Sequence, residues 1–561
     1  MDDLLHTTPA PSVQAGAVLL DEIAALGVTD IVCCPGSRSA PLAYAAARLE
    51  AEGRIRLHVR LDERGAGYFG LGIAKATSRA VAVITTSGTA VSNLAPAMAE
   101  ARYAHVPLIA LTADRPSTLI GTGANQTADQ VGVFGTVPLM VTRVSACDLA
   151  PEAWRAAIRR SVVTAEGRIT RCPGPVQVNV ELPVPLVGDP GPIPPGVPFR
   201  ADRIGPARPV RLDPGPKTVI VAGDMSPEQG QWWASQADRI QIPLLAEPSS
   251  NARSGSAAVS AYRYLLPGFS SGIERVIVAG RPTLSRCVTS LLSRKDIEII
   301  AVDESGQWPD PGWAVSAVVP GVVMGMGDTW WMSTWTAADR ALRARIDAGS
   351  VWSGETIAAT VLKSMGGDGC LVLGASNPIR DADLAPIQAH GPRVFSNRGL
   401  AGIDGTIATA CGVATGLHQP VVALVGDLTA LHDISSLARP MLDQQADLTL
   451  VIADDHGGSI FSTLEYGASK AQIGEFADWF ERLFAVPMTA DLAKVAEGFG
   501  AEVTTVANGQ ELAAAMIGTH QGARVIVAEV GRSSRGDREK RLVAWGREAA
   551  REALQGRVRA S

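Results

Sequence analysis

Pro420-Val421-Val422-Ala423-Leu424-Val425 is an apolar run that stops at Gly426-Asp427-Leu428. A second run, Leu448-Thr449-Leu450-Val451-Ile452-Ala453, stops at Asp454-Asp455-His456-Gly457-Gly458. Runs that stay apolar instead of alternating suit strands buried on both faces of a parallel sheet. Between Leu428 and Asp454 lie 25 residues, room for one crossover connection. Two parallel strands joined in this way end at the same sheet edge, and ligands of doubly wound sheets bind beyond that edge.

The same unit recurs outward from this stretch. Runs at Val28–Cys34, Ala80–Thr86, Pro107–Thr112, Thr218–Ala222, Arg275–Ala279, Glu298–Val302, Cys370–Leu373 and Arg524–Val530 are each followed by an Ala/Leu-rich amphipathic segment. Alternation of this kind predicts βαβ units and parallel sheets. A chain of 561 residues is too long for one core, since cores stop growing near about 250–300 residues. Eleven prolines fall in the 35 residues from Pro183 to Lys217, a semi-rigid extended connection. A second break lies in the Gly/Met/Trp-rich text of Gly321–Trp335, followed by a helical stretch from Ala337 to Ala348. The expected fold is α/β, with three doubly wound parallel-sheet domains at 1–185, 216–335 and 350–561 and a Pro-rich linker at 186–215.

Composition removes several function classes. With 46% hydrophobic and 19% charged residues the chain is globular, not disordered. A net charge of −6, with no dominant basic stripe, argues against nucleic-acid binding. Of 50 basic residues only seven are lysine, so Schiff-base candidates are few and planar forks for carboxylates and phosphates are many. Seven scattered cysteines with no C-x-x-C spacing predict reduced thiols and a cytoplasmic location. The opening residues include two acids and no basic segment before an apolar run, so no signal peptide is expected. No run of 18 apolar residues predicts a membrane span. The basic stretch Arg532–Arg559 carries Leu, Val, Trp and Ala at helical spacing and is expected to be an amphipathic packing helix.

An acid at each of two adjacent strand ends, with a glycine carbonyl nearby, can grip a hard divalent cation. Mg²⁺ takes octahedral oxygen ligands and commonly shares them with phosphates. Gly457 and Gly458 let the backbone approach a diphosphate, and a helix beginning near Ser459 would offer its N-terminus to that charge. Either acid alone would be read as a helix cap or turn former; the pair at this spacing favours the metal.

This arrangement resembles the thiamine-diphosphate signature, a Gly-Asp-Gly followed one crossover later by Asn-Asn. Leu428 stands where the signature has its last Gly, and Asp454-Asp455 where it has the Asn pair. The resemblance implies that Asp427, Asp455 and the Gly457 carbonyl hold Mg²⁺ or Mn²⁺, with Gly426, Leu428, His456 and Gly458 beside the cofactor. Glu63 follows the short run Arg56–Leu61 at a helix start, the place of the family glutamate that hydrogen-bonds the pyrimidine ring and drives its proton transfer.

Four further motifs narrow the likeness: Cys34-Pro35-Gly36-Ser37-Arg38-Ser39; Thr86-Ser87-Gly88-Thr89-Ala90; Ala113-Asp114-Arg115-Pro116 leading to Gly121-Thr122-Gly123-Ala124-Asn125-Gln126; and Phe395-Ser396-Asn397-Arg398-Gly399 leading to Gly402-Ile403-Asp404-Gly405. In this order, with Gly280-Arg281-Pro282-Thr283-Leu284-Ser285-Arg286 between, they resemble the 2-succinyl-5-enolpyruvyl-6-hydroxy-3-cyclohexene-1-carboxylate synthase family of menaquinone biosynthesis. The resemblance spans essentially the whole chain. It implies a transferase, a carboligase that decarboxylates 2-oxoglutarate and adds the remaining fragment to isochorismate in a conjugate, Stetter-like step. It implies catalytic roles for Glu63, Gln126 and Arg398. Substrate contacts would come from Ser37, Arg38, Arg115, Asn125, Gln126, Arg286, Ser376, Arg380 and Arg398. Cofactor contacts would include Ser87, Gly88, the aliphatic wedge Ile403, and Ile460, Phe461 and Leu464 as pocket walls. It further implies a homodimer or homotetramer with active sites between subunits.

His105 and His432 read as structural, and His456 as a loop residue without a proton-transfer role. The nearest rival is another thiamine-diphosphate 2-oxo-acid enzyme, such as an acetolactate synthase or a decarboxylase, but the arginine-rich strand ends suit multiply anionic substrates better. A nicotinamide oxidoreductase would need G-x-G-x-x-G straight after a strand, and no convincing case occurs. A binding protein without chemistry would have lost Glu63, which is present.

Overall fold

The computed structural model describes residues 10–443, 447–467 and 474–556. Its strands, in chain order, are β1 (Asp30–Cys33), β2 (Arg56–Val59), β3 (Val81–Thr85), β4 (Leu108–Asp114), β5 (Met140–Ser145), β6 (Val176–Glu181), β7 (Val210–Leu212), β8 (Thr218–Ala222), β9 (Leu244–Ala246) and β10 (Arg275–Ala279). There follow β11 (Glu298–Val302), β12 (Ala317–Val319), β13 (Val322–Met324), β14 (Cys370–Leu373), β15 (Arg393–Ser396), β16 (Val421–Gly426), β17 (Leu448–Asp454), β18 (Glu502–Val506) and β19 (Ala523–Glu529). The described residues form two compact units. One comprises the chain up to Gly205 with Asn397–Pro420 and Asp433–Leu448, the other Pro206–Ser396, Val421–His432 and the residues from Thr449 onward.

The first unit is built on a parallel sheet of order β2-β1-β3-β4-β6-β5. Its central strands are buried on both faces, as their unbroken apolar runs require. β6 breaks that rule. Val176-Gln177-Val178-Asn179-Val180-Glu181 alternates apolar and polar residues, yet every position is buried. The Asn179 amide donates to Asp114 at 2.8 Å and the Gln177 amide to the Gln130 backbone carbonyl at 2.9 Å, while Gln177 Oε1 stays buried without a partner.

Helix Glu63–Thr77 starts where the Asp62 carboxylate accepts the Arg64 N–H at 3.0 Å. It lies against helix Thr406–Leu417. A Cβ on Gly72 would collide with the Thr409 carbonyl, and one on Gly412 with the Phe69 carbonyl. Glycine is therefore required on both sides of this crossing.

The second unit holds a five-stranded sheet of order β12-β11-β10-β8-β9, a two-stranded ribbon of β13 and β7, and a six-stranded sheet of order β15-β14-β16-β17-β19-β18. Numbered within its own segment, the six-stranded sheet has the winding of the first unit's sheet, 2-1-3-4-6-5. The five-stranded sheet shares the 2-1-3-4 part.

The helix expected from Ala337 starts earlier, at Thr329, and runs to Ala348. Asp328 caps it, its carboxylate accepting the Trp330 N–H at 2.8 Å and the Trp331 N–H at 3.2 Å. The Trp-rich text is thus the helix's first turns: Trp331, Trp335, Ala338 and Leu342 form its buried face, with Trp335 stacked on Phe269 at 4.1 Å. Helix Arg535–Leu554 buries Leu542, Ala549, Ala550 and Ala553 in the same core, the packing role expected of it; residues 557–559 of that stretch lie outside the described residues. No helix among the described residues is long and apolar enough to cross a membrane. None of the seven cysteines is in a disulfide.

Candidate functional site

In a sheet that starts 2-1-3, the winding reverses between its first and third strands, and ligands gather beyond the carboxyl ends there. In the first unit's sheet those ends lead into 34–39, after β1, and 86–90, after β3. In the six-stranded sheet of the second unit they lead into 374–376, after β14, and 426–428, after β16. In the five-stranded sheet the loop after β10 runs to Ser285, which precedes the helix headed by Arg286. The motif residues 34–39, 86–90, Ser376, 426–428 and 280–286 occupy these loops, while 113–126, 397–405 and 454–458 lie at and beyond the ends of β4, β15 and β17.

Within the first unit, Arg115 comes close enough to Arg38 that its charge disfavours the Arg38 cation. Burial, and next the charge of Arg115, hold the Arg38 guanidinium below its usual pKa. Arg38 donates to the Leu182 carbonyl at 2.6 Å, and its Nε is buried without a hydrogen-bond partner. Arg115 donates to the Ser87 hydroxyl. Ser87 in turn donates to the Gln126 carbonyl at 3.0 Å, and the Gln126 amide donates back to the Ser87 carbonyl at 2.9 Å. Gln126 sits at φ +59, a left-handed conformation that turns the exposed Asn125-Gln126 segment over this loop. Ser37 is exposed just before Arg38.

Glu63 is the first residue of helix Glu63–Thr77, half-buried, and accepts a long 3.4 Å hydrogen bond from Asn93. Burial, followed by the charge of Glu63, pushes the Cys34 thiol far above its ordinary range, which places Glu63 beside the end of β1. His105 closes a helix in the left-handed conformation, as a structural residue does.

A residue behind these loops was not anticipated. Gln130 is buried; its carbonyl oxygen Oε1 accepts the Gly88 N–H at 2.8 Å, and its Nε2 donates to Ala113 O at 3.2 Å and to Asn179 Oδ1 at 3.0 Å. Asn179 also donates to Asp114 at 2.8 Å, and Asp114 accepts the Arg115 N–H at 2.7 Å. Burial raises the Asp114 carboxyl against these bonds. The polar alternation of β6 was the available signal.

Asn397–Gly405 also belongs to the first unit and is clamped at both ends. The Glu100 carboxylate accepts the Gly399 and Leu400 N–H groups, each at 2.7 Å. Tyr68, on the helix that Glu63 heads, donates its hydroxyl to Asp404 at 2.9 Å. Arg398 is buried in this belt and Ile403 half-buried. Asp404 lies in a quoted motif, whereas Glu100 and Tyr68 carry no motif signal of their own.

In the second unit the two expected acids share one sheet edge, with β16 beside β17. Asp427 heads the short helix Asp427–Asp433, which contains His432. Its carboxylate accepts the Leu428 N–H at 2.8 Å and, across the crossover, the Gly457 N–H at 2.6 Å. Burial, and next the charge of Asp455, push Asp427 up to about 7. Burial also raises Asp455 against the Ser459 hydroxyl that donates to its Oδ2 and the Arg535 charge beyond, while its Oδ1 is buried with no hydrogen-bond partner. Asp454 does different work: its Oδ1 accepts the His456 N–H at 3.0 Å and lies 3.3 Å from His456 Nδ1, holding a turn in which His456 is exposed at φ +56.

An orphaned carboxylate oxygen beside a second buried carboxylate is a donor set that fits a hard cation. No group of three or more His, Cys, Asp and Glu side chains among the described residues could hold a metal, so a cation here would draw on two carboxylates, a carbonyl and its own ligand's oxygens. A Cβ on Gly426 would meet nothing within 4 Å, so this strand end is open to a close approach. Gly457, at φ +139, and Gly458 have no room for side chains against the Phe484 and Ala485 carbonyls, and Gly458 donates to Ala485 O at 2.6 Å.

The helix expected near Ser459 is only a 3₁₀ turn, Ser459–Thr463. The hydroxyls of Ser462 and Thr463 donate to carbonyls three residues back, at 2.7 and 2.8 Å, and a Cβ on Gly467 would collide with the Phe461 carbonyl. Such local bonds compete with a continuing α-helix. Ile460 and Phe461 lie on this turn and Leu464 just beyond it, all partly buried, with Phe461 against Phe484 at 5.9 Å.

Ser376 precedes helix Asn377–Ala382 at φ +75, ψ −132, close to the conformation of Gly88. A non-glycine residue in so sparse a region costs on the order of 1–3 kcal/mol. Arg380 donates to the Ser376 carbonyl at 2.6 Å. Arg286 is exposed at the head of its helix.

Two family models match the chain. The thiamine pyrophosphate enzyme N-terminal TPP binding domain covers residues 13–133, and the C-terminal TPP binding domain covers residues 382–529. The chain is 43% identical to a 2-succinyl-5-enolpyruvyl-6-hydroxy-3-cyclohexene-1-carboxylate synthase of Kineococcus radiotolerans, over 96% of this chain and 99% of the relative. It is 42% identical to the synthase of the same name from a Nocardioides species, over 96% and 99% of the two chains. It is 39% identical to that of Mycobacterium avium, over 93% and 97%.

Proposed function

Because the chain belongs to the 2-succinyl-5-enolpyruvyl-6-hydroxy-3-cyclohexene-1-carboxylate synthase family of thiamine-diphosphate enzymes, we propose that it joins 2-oxoglutarate to isochorismate with loss of CO₂. It is a thiamine-diphosphate-dependent transferase of menaquinone biosynthesis. The observation that carries the substrate reading is the Arg38–Arg115 pair: Arg38, with a buried unpartnered Nε, follows β1 at the reversal point of a sheet, and Arg115, after β4, reaches the loop after β3 by bonding Ser87. Such a pair is stabilised by an anion that both can fork.

The residues then divide the work. Arg38, Arg115, Arg286, Arg380 and Arg398, with Ser37, Asn125, Gln126 and Ser376, bind and orient the two carboxylated substrates. Glu63 holds a proton at the cofactor's pyrimidine nitrogen, with Ser87, Gly88 and Ile403 shaping the pocket there. Asp427, Asp455 and the Gly457 carbonyl hold Mg²⁺ or Mn²⁺, and Gly426, Leu428, His456, Gly458, Ile460, Phe461 and Leu464 line the diphosphate side. When bound, thiamine diphosphate supplies the electron sink for decarboxylation.

The same reading divides the chain into domains at 1–185, 216–335 and 350–561, and makes it a cytoplasmic homodimer or homotetramer with active sites between subunits. Mass spectrometry of the purified chain with thiamine diphosphate, Mg²⁺, 2-oxoglutarate and isochorismate tests it. The expected result is the named product, with one CO₂ released per turnover. Equal turnover of 2-oxo acids without isochorismate would point to an acetolactate synthase or decarboxylase and overturn the proposal.

A further inference from the structure

Ser459 and Asn377 lie 82 residues apart in the chain, yet the Asn377 amide donates to the Ser459 hydroxyl at 2.6 Å. Both side chains are buried, 9% exposed for Asn377 and 3% for Ser459. The Ser459 hydroxyl donates in turn to Asp455 Oδ2. The order of donors is chemically determined. An amide NH₂ can only donate and an ionised carboxylate can only accept, so the hydroxyl between them must accept from one and donate to the other. The far oxygen of the same carboxylate, Asp455 Oδ1, is the one left buried without a partner.

We propose that Ser459 is a positioning residue for Asp455: it holds Oδ2 so that Oδ1 faces the cation, and Asn377 ties that carboxylate to the helix that opens at Ser376. The proposal rests on the metal assignment made above and concerns what orients the ligand. Where the cofactor signature carries Asn, this chain carries an acid. A carboxylate brings no N–H of its own and must be oriented by donors from outside, which is the part the Ser459 hydroxyl plays. Hydrogen bonds to ligating carboxylates from beyond the ligand shell typically change metal affinity by about 10–100-fold when lost. The chain also couples two candidate functions. Asn377 follows Ser376 directly, and Arg380 is bonded to the Ser376 carbonyl, so the segment proposed to touch substrate and the segment proposed to hold the metal are joined through the Ser376–Asn377 backbone and the Asn377–Ser459 hydrogen bond.

The test measures binding and not turnover. Electron paramagnetic resonance of Mn²⁺ with the full-length chain and thiamine diphosphate gives the metal affinity of wild type, Asp455→Ala, Ser459→Ala, Ser459→Thr and Asn377→Ala. Ser459→Ala should weaken Mn²⁺ binding by about 10–100-fold. Ser459→Thr, which keeps the hydroxyl, should bind Mn²⁺ more tightly than Ser459→Ala, and Asn377→Ala should weaken binding less than Ser459→Ala. The double variant Asn377→Ala/Ser459→Ala should be no weaker than Ser459→Ala alone, because residues in one network are non-additive. Wild-type affinity in Ser459→Ala, with Asp455→Ala clearly weakened, would overturn the positioning role and leave the metal assignment standing. Wild-type affinity in Asp455→Ala would overturn the metal assignment and the proposal with it.

Discussion

Glu63 and Arg115 are separable by chemistry at the level of single side chains. Glu63→Gln keeps the size of the side chain and its contact with Asn93 but no longer exchanges a proton. Cofactor and Mg²⁺ binding should survive while turnover falls by about 10²–10⁴-fold, the range for a positioned proton-transfer group. Deuterium exchange at the cofactor's C2–H, followed by NMR, should slow in parallel; wild-type exchange would remove Glu63 from this role. Arg115 sits beside Arg38 and on Ser87, within the cluster that also holds Gln126. Losing one charge-assisted bond, worth about 1.5–3 kcal/mol, should lower kcat/KM for isochorismate by roughly 10–150-fold in Arg115→Ala. Adduct formation with 2-oxoglutarate alone, followed by stopped-flow absorbance, should persist. If it collapses too, Arg115 serves the first substrate or the fold.

At the scale of elements, the contrast between β4 and β6 matters most. β4 announces itself as an apolar run, whereas β6 hides Gln177, Asn179 and Glu181 among valines and is no less buried. Its polar residues form the scaffold on which Gln130 holds the Gly88 loop. Gln130→Met keeps the volume but leaves the Gly88 N–H and the Ala113 carbonyl without their amide partner. Each orphaned buried group costs about 1–3 kcal/mol. The thermal midpoint should fall and the isochorismate KM should rise, since Ser87 and Gln126 are bonded to the displaced loop. An unchanged midpoint and KM would show that the network neither stabilises nor positions. The strand-end motifs were legible because apolar runs mark where a strand stops. This scaffold was not, because its polar side chains look like surface residues until their partners are known. The 3₁₀ turn at Ser459 was misread as a helix for a related reason: spacing alone does not show that Ser462 and Thr463 bond back to the backbone.

For the whole molecule, stability should depend on pH through Asp433. It is fully buried, accepts the Ala408 N–H at 2.9 Å and the Ser436 hydroxyl at 2.8 Å, and burial raises it from its usual 3.8 to about 6. A carboxyl raised in the folded state binds its proton there after the unfolded chain has released it. Its stabilising contribution is therefore complete below about pH 4 and is lost as pH rises through about 6. Two pKa units correspond to about 3 kcal/mol. Unfolding midpoints of wild type and Asp433→Asn, compared from pH 4.5 to 7.5, should show wild type losing ground to the variant as pH rises. A constant difference would mean that Asp433 is not held protonated by burial.

The sequence alone determined the α/β class, the apolar core strands with their helical crossovers, and the placement of Glu63, Asp427 and Asp455 at strand ends. Those follow from local rules: an apolar run is a buried strand, and what comes straight after it lies at the carboxyl edge. Only the tertiary structure decided which distant groups meet. Gln130 and Asn179 are 49 residues apart, Asn377 and Ser459 82, and Tyr68 and Asp404 336. Whether such side chains share a hydrogen bond depends on how the sheets are wound and how closely helices such as Glu63–Thr77 and Thr406–Leu417 approach. No residue carries that information in its own identity or in its neighbours along the chain.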